Sequence, residues 1–164
     1  MPELPISSAV RLAWHLAGGF ALRCGEDVIQ PKDLLCGICS LEKAASAGRL
    51  PAQTPAAAER LRTETQQLTN LAQRHSIDLS AVRHAIRDAS PVWKPSPPEE
   101  HVVSRGPEVR TIFDRAEEIA RGNGLAEMDL LSLLRALLES SDEVVAALME
   151  SSAQGMLHDL CRSS

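Results

Sequence analysis

The stretch VRTIFDRAEEIARGNGLAEMDLLSLLRALL, Val109 to Leu138, decides the fold. Its first part spaces Val109, Ile112, Phe113, Ala116, Ile119 and Ala120 so that they form one apolar stripe on an α-helix. Pro107 suits the first turn of that helix, where a missing N–H costs nothing. Gly124, after Asn123, can take the left-handed conformation that stops a helix. The second part carries Leu130, Leu131, Leu133, Leu134, Leu137 and Leu138. It is apolar on more than one side, which predicts a helix packed between other helices.

The earlier stretch Val10 to Leu41 reads as a diverged copy. At an offset of 99, Val10, Arg11, Trp14, Ala17, Phe20, Ala21 and Gly25 match Val109, Arg110, Phe113, Ala116, Ile119, Ala120 and Gly124. Beyond the glycine an offset of 96 aligns Asp33, Leu34, Leu35 and Ile38 with Asp129, Leu130, Leu131 and Leu134, giving the earlier link three extra residues. A looser third block sets Leu68, Leu71 and Leu79 against Val145, Leu148 and Met156 at an offset of 77. Internal self-similarity is an architectural signal, because each unit buries its apolar face on its neighbour. One all-α domain over 1–164 is expected: a unit over about 8–90, a Pro-rich linker over 91–107 and a second unit over about 108–162.

The remaining helices follow from local chemistry. Ser7 or Ser8 caps the first, and Glu26 to Gln30 links it to a second that Pro31 opens. Ala44 to Pro55, rich in Ala, Ser, Gly and Pro, reads as a surface loop. Thr54-Pro55 starts a helix with Leu61, Leu68 and Leu71 inward, broken at His75-Ser76. Asp78 or Ser80 caps another with Leu79, Val82 and Ile86 inward. In the second unit, Ser140 to Glu143 is a capping cluster before a helix with Val144, Val145, Leu148 and Met149, and a short last helix carries Met156, Leu157 and Leu160. Gly18 and Gly19 interrupt the first helix and predict close approach of another helix. No strand alternation is visible.

At 164 residues the chain can bury a substantial core, and with two Trp, two Phe and no Tyr that core must be mainly aliphatic. The net charge of −5 is mixed in sequence, with neither a basic stripe nor an aromatic platform, which argues against nucleic-acid binding. No apolar run approaches the roughly 20 residues of a membrane span. The opening MPELPISSAV lacks a positive region followed by an apolar one. A cytoplasmic protein is expected, with its four Cys as thiols.

Two copies of helix, Gly, short link and Leu-Leu helix, each followed by two shorter helices, resemble the Clp N-terminal domain (Clp repeat) family. The resemblance rests on Ala17 to Leu35, Leu71 to Ile86 and Ala116 to Leu138, most directly on AEEIARGNG (Ala116 to Gly124) followed by Asp129-Leu130-Leu131. It covers about residues 8 to 160 and implies a pseudo-twofold bundle of about eight helices. It also implies binding of client or adaptor proteins ahead of an ATPase ring that unfolds proteins. No Gly-x-x-x-x-Gly-Lys-Ser/Thr is present, so no P-loop is expected here. The segment between Ala44 and Arg60 is longer than the family pattern. Some family members bind phosphorylated arginine through a Glu two positions before the Leu pair. Those positions are Lys32 and Met128, neither of which can accept a guanidinium's hydrogen bonds, so this ligand is not expected.

Cys36-Gly37-Ile38-Cys39 has redox spacing, but it lies inside a predicted helix rather than at a helix N-terminus and lacks a βαβ context. Packed thiols are the preferred reading, with thiol redox chemistry or zinc as the alternative. Zinc ligands Cys24, Cys36, Cys39 and His15 can be assembled on paper, yet His15 lies more than two turns from Cys24. His75, His84, His101 and His158 fall in no catalytic motif, and the Glu99-Glu100 and Glu117-Glu118 neighbours cannot form a dyad on a helix. Trp14 is expected in the core, and Trp93 either pins the linker to the bundle or meets a partner. The chain thus reads as a non-catalytic protein-interaction module with no cofactor and no metal. Its partner would be a client, an adaptor or an ATPase ring, bound in a groove between the halves. Lys32, Asp33, Met128 and Asp129 are the candidate rim, with Trp93 beside them. A structural segment of a larger protein is the other alternative.

Overall fold

A computed structural model describes residues 2–48, 54–90, 103–147 and 150–163. The protein is all-α. Among the described residues the helices are α1 (Ser8–Arg23), α2 (Pro31–Cys39), α3 (Leu41–Ser46), α4 (Pro55–Arg74), α5 (Leu79–Asp88), α6 (Pro107–Gly122), α7 (Leu130–Ser140), α8 (Asp142–Ala147) and α9 (Glu150–Arg162). Side-chain oxygens of Ser7, Thr54, Asp78 and Asp129 accept N–H groups at the starts of α1, α4, α5 and α7. Gly25 (φ 74°) and Gly124 (φ 69°) end α1 and α6 in the left-handed region, where a Cβ would be strained.

The two halves keep one register throughout. Gly25 and Gly124 are followed by the same hydrogen bond, Glu26 N–H to Ala21 O and Leu125 N–H to Ala120 O, each 2.9 Å. Gln30 and Asp129 are the N-caps of α2 and α7. Pro31 therefore answers Leu130, Leu34 and Leu35 answer Leu133 and Leu134, and Ile38 answers Leu137, all buried and all at the offset of 99. The three-residue insertion expected from the sequence does not exist. A shift of three in a run of leucine pairs lands leucine on leucine, because three residues is nearly one helical turn. The equivalent of Lys32 is accordingly Leu131, and that of Met128 is Ile29.

Extended backbone joins the halves. Strands β1 (Val28–Ile29) and β2 (Ser104–Arg105) pair in parallel, and Ile6 bridges Met128. Gly106 N–H donates to Ile29 O at 3.1 Å, and Ser7 N–H donates to Met128 O at 3.0 Å. Each half's link is thus closed by the residues leading into the other half's first helix. Pairings this short leave no alternation to read in the sequence.

Packing crosses between the halves in the same way, with α4 lying on α7 and α8 on α2. One contiguous aliphatic core runs through both. The tightest contact is at Gly37, where a Cβ would stand 2.2 Å from Ala13 O and 3.0 Å from Ala17 N. The close helix approach expected at Gly18 and Gly19 is found here instead. A Cβ at Gly18 would touch Ile29 at an ordinary 3.7 Å, and one at Gly19 would meet nothing. The segment expected as a loop from Ala44 is helical to Ser46, because Leu41 and Ala44, one turn apart, are buried against α1 and α4. The last helix is longer than expected and begins at Glu150. Its close approach to α4 is pinned by His75, whose Nε2 lies 2.9 Å from Asp159 while its Nδ1 would stand 2.7 Å from a Cβ at Gly155.

Candidate functional site

Helix α5 rests on α2 and divides two cavities. The first is a cleft of about 290 Å³ among α2, α5 and α8. Leu35, Ile86 and Val144 are its apolar floor, Ala85 and Ala89 face it from α5, and Lys32 and Glu143 bring charge to its edge. It draws on both halves of the chain. Lys32 Nζ reaches Glu26 Oε1 at 2.8 Å. Burial opposes the Lys32 charge, but the hydrogen bond and charge of Glu26 outweigh it and raise the lysine's pKa.

The other expected rim residues are spread apart. Asp33 is wholly buried one turn into α2, where its Oδ2 accepts the Gln30 N–H at 2.8 Å. Met128 is 3 % exposed and its backbone is taken up by Pro5 and Ser7. Asp129 is half-buried and caps α7, accepting from Ser132 N–H at 2.9 Å. The seam between the link junctions is filled by the chain's own lead-in residues, so a groove between the halves opens at α2, α5 and α8 instead. Trp93, like most of the expected linker, lies outside the described residues.

The second cavity, about 330 Å³, lies on the opposite side of α5 among α1, α2, α3 and α5. His15 and Arg23 of α1, Lys43 of α3, and Arg83, His84 and Arg87 of α5 line it, with no carboxylate in the described lining. Gly19, Cys36 and Ser40 give it room. The equivalent place in the second half carries its own ion pairs. There Glu118, Arg135 and Glu139 stand for Gly19, Cys36 and Ser40, and Arg115 stands for Leu16. Arg115 donates to Glu139 at 2.9 Å and to Glu118 at 3.1 Å, and Arg135 donates to Glu139 at 2.9 Å. Burial pushes the Glu139 carboxyl up, but the two arginines outweigh it and hold it below its ordinary range. The sequence reading missed this cavity because its lining comes from three separate stretches. The signal that reveals it is a comparison of the copies at the offset of 99, where carboxylates face Gly19 and Ser40.

The cysteines pack as core. Cys24, Cys36 and Cys39 are buried, and only Cys161 is exposed. Burial pushes all three buried thiols up, Cys39 to about 12, so none is a ready nucleophile at neutral pH. Among the described residues no group of three His, Cys, Asp or Glu side chains is arranged to hold a metal. Glu117 and Glu118 serve different arginines, Arg121 and Arg115. Trp14 meets Phe113 edge-on at 5.6 Å, and the Arg105 guanidinium lies 5.3 Å and 4.5 Å from the two ring centres. The ring is half-buried at the boundary of the halves rather than inside the core. No described helix is long and apolar enough to cross a membrane.

This arrangement is a Clp N-terminal-like fold. A solved chain from a malarial protein secretion system matches with a TM-score of 0.65 at 12% identity, over 96% of this chain and 93% of that one. The Hsp104 N-terminal domain from Candida albicans matches with a TM-score of 0.62 at 13% identity, over 95% and 89%. No family model and no curated protein matches the sequence.

Proposed function

We propose that this chain is a non-enzymatic protein-interaction module of the cytoplasm, one that receives a client or adaptor polypeptide or docks on an ATPase ring. The observation that carries this reading is the cleft of α2, α5 and α8. It has an apolar floor, charges at its edge and a span across both halves, which suits a peptide or a partner helix. The likeness to the Hsp104 N-terminal domain supports it. The doubled unit over 8–90 and 108–162 is read as one domain, with Lys32 at the cleft as its first contact residue.

The test is affinity capture from native lysate, with and without nucleotide, read by mass spectrometry. Wild type is compared with Ala89→Arg, which fills the cleft from an exposed position. An ATPase ring or its protease should come down with wild type and be lost with the variant. Recovery of no discrete partner, or equal recovery by both proteins, would overturn the reading.

A further inference from the structure

We propose, resting on the reading above, that the cleft of α2, α5 and α8 receives an amphipathic helix of the partner, one that carries Lys or Arg beside its apolar residues.

Shape points to a helix. At about 290 Å³ the cleft falls just below the roughly 300–1,000 Å³ of small-molecule pockets, so it suits protruding side chains better than a whole ligand. Every element that borders it is a helix, and no strand edge is offered to an extended partner. Extended backbone laid over Leu35, Ile86 and Val144 would leave its N–H and C=O groups without partners, whereas a helix satisfies its own. Ala81, Ala85 and Ala89 follow one another at one-turn intervals along α5, and all three are exposed. Side chains this small let the axis of a second helix come within about 8 Å of α5.

Charge decides which helix. Of the two charged residues at the edge of the cleft, Lys32 is already held by Glu26 at 2.8 Å. Its apolar stem is what it presents to a partner. Glu143 is exposed and meets no cation among the described residues. Helix α5 ends at the cleft, with Ala89 as its C-cap and Ser90 beyond, so the negative end of that helix adds to Glu143. The charge left open here is therefore negative. The other half shows the same corner completed. Helix α2 carries α5 and α8 as α7 carries α9 and α4. Where α4 comes to α9, Arg74 and His75 at the end of α4 lie 3.0 Å and 2.9 Å from Asp159. Where α8 comes to α5, no described cation reaches Glu143, and the cleft lies between the two helices. A basic residue on a partner helix supplies there what Arg74 supplies within the chain.

The experiment measures binding of the whole protein to two fluorescent amphipathic peptides, each about 20 residues long so that the helix persists in water. They share one Leu/Ala stripe, and the polar face is Lys/Gln in one and Glu/Gln in the other. The Lys peptide should bind, and the Glu peptide should bind about fivefold or more weakly, with the gap narrowing as salt is added. Glu143→Lys should invert that order. Glu59→Lys makes the same change in net charge at an exposed site on α4, outside the cleft, and should leave the order as it is. Ala85→Gln with Ala89→Gln fills the cleft without charge and should weaken both peptides about tenfold. All of these positions are exposed, and an unchanged melting temperature in each variant separates lost binding from lost folding. Four results overturn the proposal: no binding of either peptide, equal binding of both, an order that Glu59→Lys moves as much as Glu143→Lys, and binding that survives the filled cleft. If lysate capture is lost with Ala89→Arg but the peptide order ignores Glu143→Lys, the basic helix falls and the interaction module stands. If the peptides behave as described but no partner is captured, the module reading is the one that falls.

Discussion

At Asp33 the needs of a helix cap and of a core collide. Its Oδ2 holds the Gln30 N–H, but the residue is wholly buried, and its Oδ1, like Glu26 Oε2, has no hydrogen-bond partner among the described residues. Burial, with Glu26 beside it, raises the Asp33 pKa from 3.8 to about 7, against the Gln30 hydrogen bond that lowers it. A proton on Asp33 provides the donor that the two carboxyl groups otherwise lack. The folded state then holds this proton more tightly than the unfolded chain. The resulting stability is fully present below about pH 4 and is lost as pH rises through about 7. Asp33→Asn carries a permanent N–H donor there. The variant should match wild type in urea unfolding at or below about pH 4 and exceed it by a growing margin as pH rises to about 7, and a difference independent of pH would contradict the assignment. The second half has Ser132 at this place, so the effect belongs to one half only.

Among the elements, α4 ties one half to the other, and Glu64 is the residue that does so. Its Oε2 accepts the Ser7 hydroxyl at 2.9 Å and the Leu130 N–H at 2.7 Å, tying the start of α1 to the start of α7. Glu64→Ala leaves both donors buried without an acceptor and should cost about 2 kcal/mol or more in denaturant unfolding. Glu64→Gln keeps a carbonyl oxygen able to accept both and should cost less than half of that. Helix positions were legible in the sequence wherever caps were explicit: Ser7, Pro31, Thr54-Pro55, Asp78, Gly25 and Gly124 all mark observed boundaries. Register beyond the glycine was not legible, because Leu130 to Leu138 offers equally good leucine matches one turn apart. Helix α3 was missed for a related reason. Two buried residues, Leu41 and Ala44, are too few to set a period against an Ala- and Ser-rich background.

For the whole molecule, the doubled plan was readable because both copies retain the same apolar stripe on α1 and α6. The cavities were not readable as motifs. A cleft formed by α2, α5 and α8, or a basic concavity built from His15, Lys43 and Arg83, exists only after residues far apart in sequence have packed. Lys32 lines the cleft, while Met128, expected as its counterpart, answers to the buried Ile29 instead.

The exchanged pairings at Ile29–Gly106 and Met128–Ser7 have one more consequence. Each half's link carries a carbonyl that only the other half satisfies, and α4 and α8 each lie on the opposite half's Leu helix. Covalent continuity between the halves is then dispensable, but their company is not. Residues 1–95 and 96–164, expressed as separate fragments, should each be poorly structured alone and should regain helical circular dichroism when mixed, as a split protein that reassembles. Residues 1–95 folding cooperatively by themselves would mean that the exchanged contacts are ornament to two self-sufficient bundles. Two intact chains at high concentration have the same option of trading halves, so a slowly exchanging dimer with every native contact intact is the association to look for when the protein is concentrated or refolded.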